Sequence, residues 1–164
     1  MNIFVIDRDP VKAAITQCDS HVVAMARESA QMLSTVARKS GLKIGLRTTH
    51  ENHPCTLWAG ESRENYEWLL THAFALCNEF VRRYMNTHDC KKAIIACRDC
   101  AWLIRFPSEG LTPFAQVMPD KYKQKDAVRA YRAFYYGEKA RFAKWAHCTP
   151  APAWWKRLAT NAGP

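Results

Sequence analysis

Between Ser62 and Asn86 the apolar residues Tyr66, Leu69, Leu70, Phe74, Leu76, Cys77, Phe80, Val81 and Tyr84 recur with the period of an α-helix. At about 3.6 residues per turn, one amphipathic helix runs the length of the segment. A second long run has the same character. From Val11 to Lys39 there is neither proline nor glycine, and Val22, Met25, Ala26, Met32, Leu33 and Val36 recur at helical spacings. Asp9-Pro10 supplies an N-cap followed by proline at the first helical position, so this run starts there as one helix, or as two with a break near Cys18 to Ser20.

The stretch SGLKIGLRTTHENHPC reads as a basic loop, and PSEGLTPFAQVMP, from Pro107 to Pro119, as another. A shorter helix is expected over Lys91 to Ile104 and a last one from Asp126 to Trp145, with Pro150 and Pro152 preventing its continuation. The fold expected is all-α: a compact single-domain bundle of three to five helices over residues 1–164. A short extended arm is expected at 1–8, with at most a marginal strand, and an irregular Pro/Trp-rich tail at 146–164.

Composition bears on the partner. With 24 Lys and Arg against 15 Asp and Glu, the 164-residue chain carries a formal charge of +9, which favours a polyanion. Asp7, Arg8, Asp9 and Pro10 stand where a signal peptide needs an apolar run, and no later stretch reaches the roughly 18 apolar residues of a membrane helix. A cytoplasmic location without a membrane partner is expected, in the bacterial host if the chain is phage-encoded. Seven cysteines, an odd number lying mostly in apolar helix-like segments, read as free thiols. His88, Cys90, Cys97 and Cys100 are the one metal-like spacing, but a second CxxC is missing, and neither metal nor cofactor is expected.

Cys18, His21, Met25 and Glu28 fall on one stripe of the first long helix. His21 and Glu28, about 10 Å apart along the axis, are placed to grip opposite ends of a substrate. The competing reading turns the stripe into the core with Glu28 at its edge. A carboxylate beside Met25 and Met32 is either solvated there or has a raised pKa suited to acid/base work. Arg27 adjoins it, and two readings compete for the cations: Arg27 contacts phosphate or is a solvated charge, and Arg38 and Lys39 contact phosphate or answer the helix dipole. His53, Cys55 and Trp58 precede the best-defined helix. The Cys/His pair invites a nucleophile reading that lacks an orienting third group, while His53 and Trp58 are candidate pocket residues.

The last third interleaves rings with Lys121, Lys123, Arg129, Arg132 and Lys139, which join Lys43 and Arg47 as candidate nucleic-acid contacts. At helical spacing most of those rings are core.

The segment DSHVVAMARESAQMLSTVARK, with Asp19, His21, Arg27, Glu28 and Lys39, resembles the first helix of the phage pyrimidine-dimer DNA glycosylases of the endonuclease V type. NYEWLLTHAFALCNEFVRRY is similar to that family's second long helix, and PAWW more faintly to its tail. The chain also resembles small phage proteins of unstated function that share CDxHVV, HPCxxW and a YRxYY-like run, here YRAFYY. The first resemblance implies an all-α protein that binds and bends double-stranded DNA and flips a nucleotide. It implies an amine forming a Schiff base at sugar C1′, a carboxylate assisting, and β-elimination. Glu28 would be the carboxylate, with His21 and Arg27 holding phosphates or the distorted pair. This chain departs from the family at the nucleophile. The family uses the α-amine of a small second residue exposed by loss of Met1, whereas Asn2 normally leaves Met1 in place, so Lys12, Lys121 and Lys139 are alternative amines.

The function expected is therefore a DNA-processing enzyme of the glycosylase/AP-lyase kind. The alternatives are a non-catalytic DNA-binding protein and an enzyme or sequestering protein for a nucleotide-like small molecule.

Overall fold

The computed structural model describes residues 1–147 and 149–161. Helices α1 (Pro10–Ile15), α2 (Asp19–Lys39), α3 (Pro54–Ala59), α4 (Arg63–Tyr84), α5 (Lys91–Asp99), α6 (Ala127–Lys139) and α7 (Ala153–Asn161) follow one another, with single 3₁₀ turns at Ala101–Leu103 and Asp120–Tyr122. The class is all-α as expected, with more helices than the expected three to five. No strand occurs among the described residues. No helix among them is long and apolar enough to cross a membrane.

Local chemistry sets most boundaries. Asp9 caps α1 by accepting from Val11 N and Lys12 N, with Pro10 in the first turn. The long run then breaks at Thr16 to Cys18. Past Lys39, Leu42 N bonds Ala37 O and Gly41 N bonds Arg38 O, a Schellman closure that uses the positive φ of Gly41 (87°). Ser62 caps α4 through its Oγ, and α4 stops at Met85 in the left-handed region. The principal packing is α2 on α4, with α1 also against α4 and α3 and α5 on α2.

A charged clamp locks the helix ends. Arg83, whose side chain is fully buried, bonds Asp19 Oδ1 (2.8 Å), Glu79 Oε1 (2.7 Å) and Ile15 O (2.9 Å), joining the end of α4 to the α1–α2 junction.

The 1–8 arm runs through the core, with Ile3, Phe4, Val5 and Ile6 all buried. Two expectations are corrected. α6 ends at Lys139, not Trp145, because the following residues leave the helix to cover the start of α2. There Asp19 N bonds Lys144 O (2.9 Å), Ala146 N bonds Asp19 Oδ2 (2.7 Å) and Trp145 Nε1 bonds Thr16 O (3.1 Å). Within 146–164, the tail forms α7 directly after Pro152, since proline blocks a helix interior but not its approach.

Candidate functional site

The site is built where the N-terminus meets α2. Glu28 lies on the flank of α2 with its side chain 26% exposed, so this acid is open to solvent. Asn2 N donates to Glu28 Oε2 at 2.7 Å, and the α-amino nitrogen of Met1 lies 3.7 Å from the same oxygen. Asn2 is fixed on its other sides. Its Oδ1 accepts from Ile3 N (2.8 Å) and Phe4 N (3.3 Å), and its Nδ2 donates to Val117 O (2.8 Å).

Helix α3 closes the other side. His53 caps it, Nδ1 accepting from Cys55 N at 3.2 Å. Burial first, then the N-terminal charge and His50, push the His53 imidazole below its usual value, against a hydrogen bond with the Met1 backbone that raises it. Thr56 Oγ1 sits 3.7 Å from Met1 Sδ. Cys55 is fully buried, and burial pushes its thiol up to about 12, so it is a protonated packing group and not the nucleophile that the Cys/His pair suggested. Tyr131 completes the back wall, donating to Ala115 O (2.6 Å) and accepting from Val117 N (3.4 Å), which pins the 107–119 loop over Asn2.

Next to this cluster, Pro54, Leu57, Trp58, Glu61, Pro107, Pro113 and Ala115 line an open cleft of about 460 Å³. Trp58 is buried in its wall, against Phe114 and Trp68. Asn65, buried at the start of α4, holds the cleft's far side by bonding Thr112 N and Thr112 Oγ1.

His21 stands elsewhere. It is 8% exposed, stacked on Phe4 (4.6 Å) and edged by Tyr135 and Phe142. Burial, then the Lys139 ammonium, push its imidazole down to about 4, which makes it a neutral ring at pH 7.

The expected cationic contacts divide. Arg27, Lys43 and Arg47 are exposed. The loop bearing Lys43 and Arg47 is stitched to α2: Leu46 N bonds Ser34 Oγ (2.9 Å), Arg38 Nε bonds Leu46 O (2.6 Å), and Thr35 Oγ1 bonds Thr49 O (3.1 Å). Arg129 is exposed on α6. The others are engaged within the fold: Lys121 with Glu138 (3.1 Å), Lys123 with Asp120 (2.8 Å), and Arg132 with Ile6 O (2.8 Å) and Asp7 (3.4 Å). Lys139 lies over the Phe134 ring (4.8 Å).

No group of three or more potential metal ligands gathers among the described residues. His88 Nε2 pairs with Val23 O (3.0 Å), and Cys97 Sγ faces Ser34 Oγ (3.6 Å).

Sequence reasoning selected Glu28 and His53 but missed Met1, Thr56 and Tyr131 as their surroundings. No spacing rule links residues 2 and 28, or 53 and 1. Only the stated resemblance drew attention to an N-terminal amine, and the large second residue argued against it.

Comparison with curated proteins and with solved structures gives no match. A family model described as pyrimidine dimer DNA glycosylase matches residues 1–92 of the 164, a span holding the N-terminal arm, α2, α3, α4 and with them Met1, Asn2, Glu28 and His53. That match extends over more than half of the chain and contains the amine–carboxylate pair, and the chain belongs to the pyrimidine dimer DNA glycosylase family.

Proposed function

We propose that this protein is a DNA glycosylase with AP-lyase activity that works on a damaged base in double-stranded DNA, its N-terminal amine acting as nucleophile and Glu28 as proton carrier. The observation that carries this reading is the 3.7 Å approach of the Met1 α-amino nitrogen to Glu28 Oε2, at a carboxylate that solvent reaches. Geometry of this kind comes before any argument from acidity.

The chemistry balances as follows. The amine, having lost a proton, gives its electron pair to sugar C1′, and the C1′–N bond to the base breaks, its electrons leaving with the base. The sugar ring opens as O4′ takes a proton, leaving an iminium between C1′ and the protein nitrogen. Removal of a 2′ proton by a carboxylate then expels the 3′ phosphate, and water releases the sugar remnant and regenerates the amine. Glu28 is the group placed to accept and return these protons.

Arg27, Lys43 and Arg47 are offered to the phosphates. The Trp58 cleft, starting at the residue after His53, presents apolar walls and fixed polar groups to a nucleotide drawn out of the stack.

The experiment is borohydride trapping. Protein mixed with duplex DNA bearing a cyclobutane dimer or an abasic site, then reduced, is expected to give a covalent protein–DNA adduct, and Glu28→Gln is expected to lose most of it. No adduct on either DNA overturns the reading. Salt-sensitive duplex binding would then favour the non-catalytic binder, and tight mononucleotide binding with little salt-dependent DNA affinity the small-molecule protein.

A further inference from the structure

We propose that the Ala101–Leu103 turn is a separate DNA-contact element: an apolar wedge, Trp102 with Leu103, that enters an opened base step of duplex DNA beside the Lys43–Arg47 loop. The proposal rests on the reading above only for its ligand, double-stranded DNA, and needs none of its chemistry. Trp102 and Leu103 lie beyond the residues 1–92 that the family model matches.

Exposure comes first. Trp102 is 72% exposed and Leu103 44%. Isolated apolar residues on a surface need no explanation, but an indole and an isobutyl group side by side on one turn form a patch that calls for a partner. The turn itself is firmly held. Leu103 N bonds Cys100 O (3.0 Å) and Ile104 N bonds Ala101 O (3.1 Å), while buried Cys97 and Ile104 anchor its two ends in the core. Ile104 is extended (φ −79°, ψ 127°) with its side chain inward, so Leu103 and Arg105 on either side of it project outward. A wedge already fixed in place loses little freedom when it binds.

Position and charge name the partner. Cys97 Sγ faces Ser34 Oγ (3.6 Å) and comes 3.3 Å from where a Cβ on Gly45 would stand, so the end of α5 abuts the loop between Lys43 and Arg47. Trp102 follows Cys97 by five residues, which keeps the wedge within reach of that loop. Arg105 is exposed next to the wedge. Asp99, the one acid between Lys91 and Arg105, is paired with Arg98 (2.8 Å). An apolar tip bordered by Lys43, Arg47 and Arg105 is complementary to a partner that carries both phosphates and flat apolar faces. Duplex DNA with a parted base step offers both, the bases to the indole and the backbone to the cations. A purely apolar protein surface would leave those cations unmatched.

The test compares the full chain with Trp102→Ala and Trp102→Phe. Each protein is unfolded in urea, titrated with abasic duplex at several salt concentrations, and followed by tryptophan emission. Trp102→Ala is expected to bind about tenfold more weakly, within the range for removing a ring stacked on a base. Its slope of log affinity against log salt is expected to stay unchanged, because an apolar contact releases no counterions. Trp102→Phe is expected to keep most of the affinity and to lose most of the quenching that duplex causes in the unaltered protein. Unchanged affinity in Trp102→Ala overturns the proposal and leaves the reading above standing, as does a slope lowered by about 1, which would assign the loss to displaced cations. If Trp102→Ala unfolds early, the Trp102→Phe comparison decides, and equal quenching overturns the proposal. Self-association that disappears in Trp102→Ala assigns the patch to a second copy and overturns it too. No duplex binding by the unaltered protein overturns the proposal together with the reading beneath it, whereas duplex binding without borohydride trapping overturns that reading alone.

Discussion

The backbone N–H of Asn2 donates to Glu28 Oε2 at 2.7 Å across 26 positions of chain, so the carboxylate is oriented by the same segment that carries the amine. Replacing Glu28 by Gln keeps a side-chain oxygen for Asn2 N and removes the proton carrier. The expected outcome is a nearly unchanged unfolding midpoint with a loss of roughly 10²- to 10⁴-fold in strand nicking, the range for a lost general acid–base group. Equal losses of stability and activity would assign Glu28 a structural role instead.

Binding should divide the cations by their internal partners. Arg27→Ala, Lys43→Ala and Arg47→Ala each remove an exposed charge. Each is expected to weaken duplex binding and to lower the slope of log affinity against log salt by about 1. Lys123→Ala removes a charge already paired with Asp120 and should change that slope less. Titrations at several salt concentrations report both.

His21 and His72 make stability depend on pH. Burial brings the fully enclosed His72 down to about 3, and burial and Lys139 bring His21 to about 4, each from an ordinary value of 6.5. Below pH 6.5 the unfolded chain takes up protons that the folded one refuses. Stability is thus full above pH 6.5 and falls, by a few kcal/mol in total, as pH drops from there toward about 4, flattening only below the folded values. Urea unfolding between pH 7.5 and 4.5 measures this. His21→Phe, which keeps the ring against Phe4, should reduce the slope and leave DNA trapping intact; lost trapping would return His21 to the site.

Arg83 is fully buried, so removing its charge breaks the Asp19 ion pair and one of the two ion pairs of Glu79, which keeps Arg82. Arg83→Met is expected to cost about 3–5 kcal/mol in urea unfolding, as for other broken buried pairs. Burial alone pushes the Glu79 carboxyl up, but hydrogen bonds from Thr149, Arg82 and Arg83 and the Arg83 charge outweigh it and hold the group below its usual range. Its stabilisation is present above the ordinary carboxyl value and is lost as pH falls through the folded one. Glu79→Gln should remove that acid-side dependence.

Gly45 sits at φ 66° with its Cα turned toward Ser34 Oγ, leaving no room for a Cβ. Gly45→Ala should cost about 1–3 kcal/mol and loosen the loop bearing Lys43 and Arg47. Unfolding midpoints and duplex affinity both falling would bear this out; an unchanged affinity would exclude that loop from the interface.

Helix positions were legible because they depend on neighbours three and four residues away. The periodicity of Tyr66 to Tyr84, the Asp9 cap and the break near Cys18 are local facts, and the structure keeps them. The end of α6 was not legible, since it is set by Asp19, more than a hundred residues earlier, drawing Lys144 and Ala146 out of the helix. Pro152, read as a stop, stands just before the start of α7 because proline is tolerated at a helix beginning.

For the site, the sequence by itself determined that Glu28 is a carboxylate on a helix flank in a basic chain, and that His21 shares its stripe. Only tertiary packing decided that the two serve different surroundings. The N-terminal arm runs through the core, stacking Phe4 on His21 and carrying the Met1 amine to Glu28. A helical pattern specifies which face a side chain occupies. What meets that face is settled by how distant segments fill the same volume, and here the deciding segment is a buried, non-helical stretch whose apolar residues do not encode a partner.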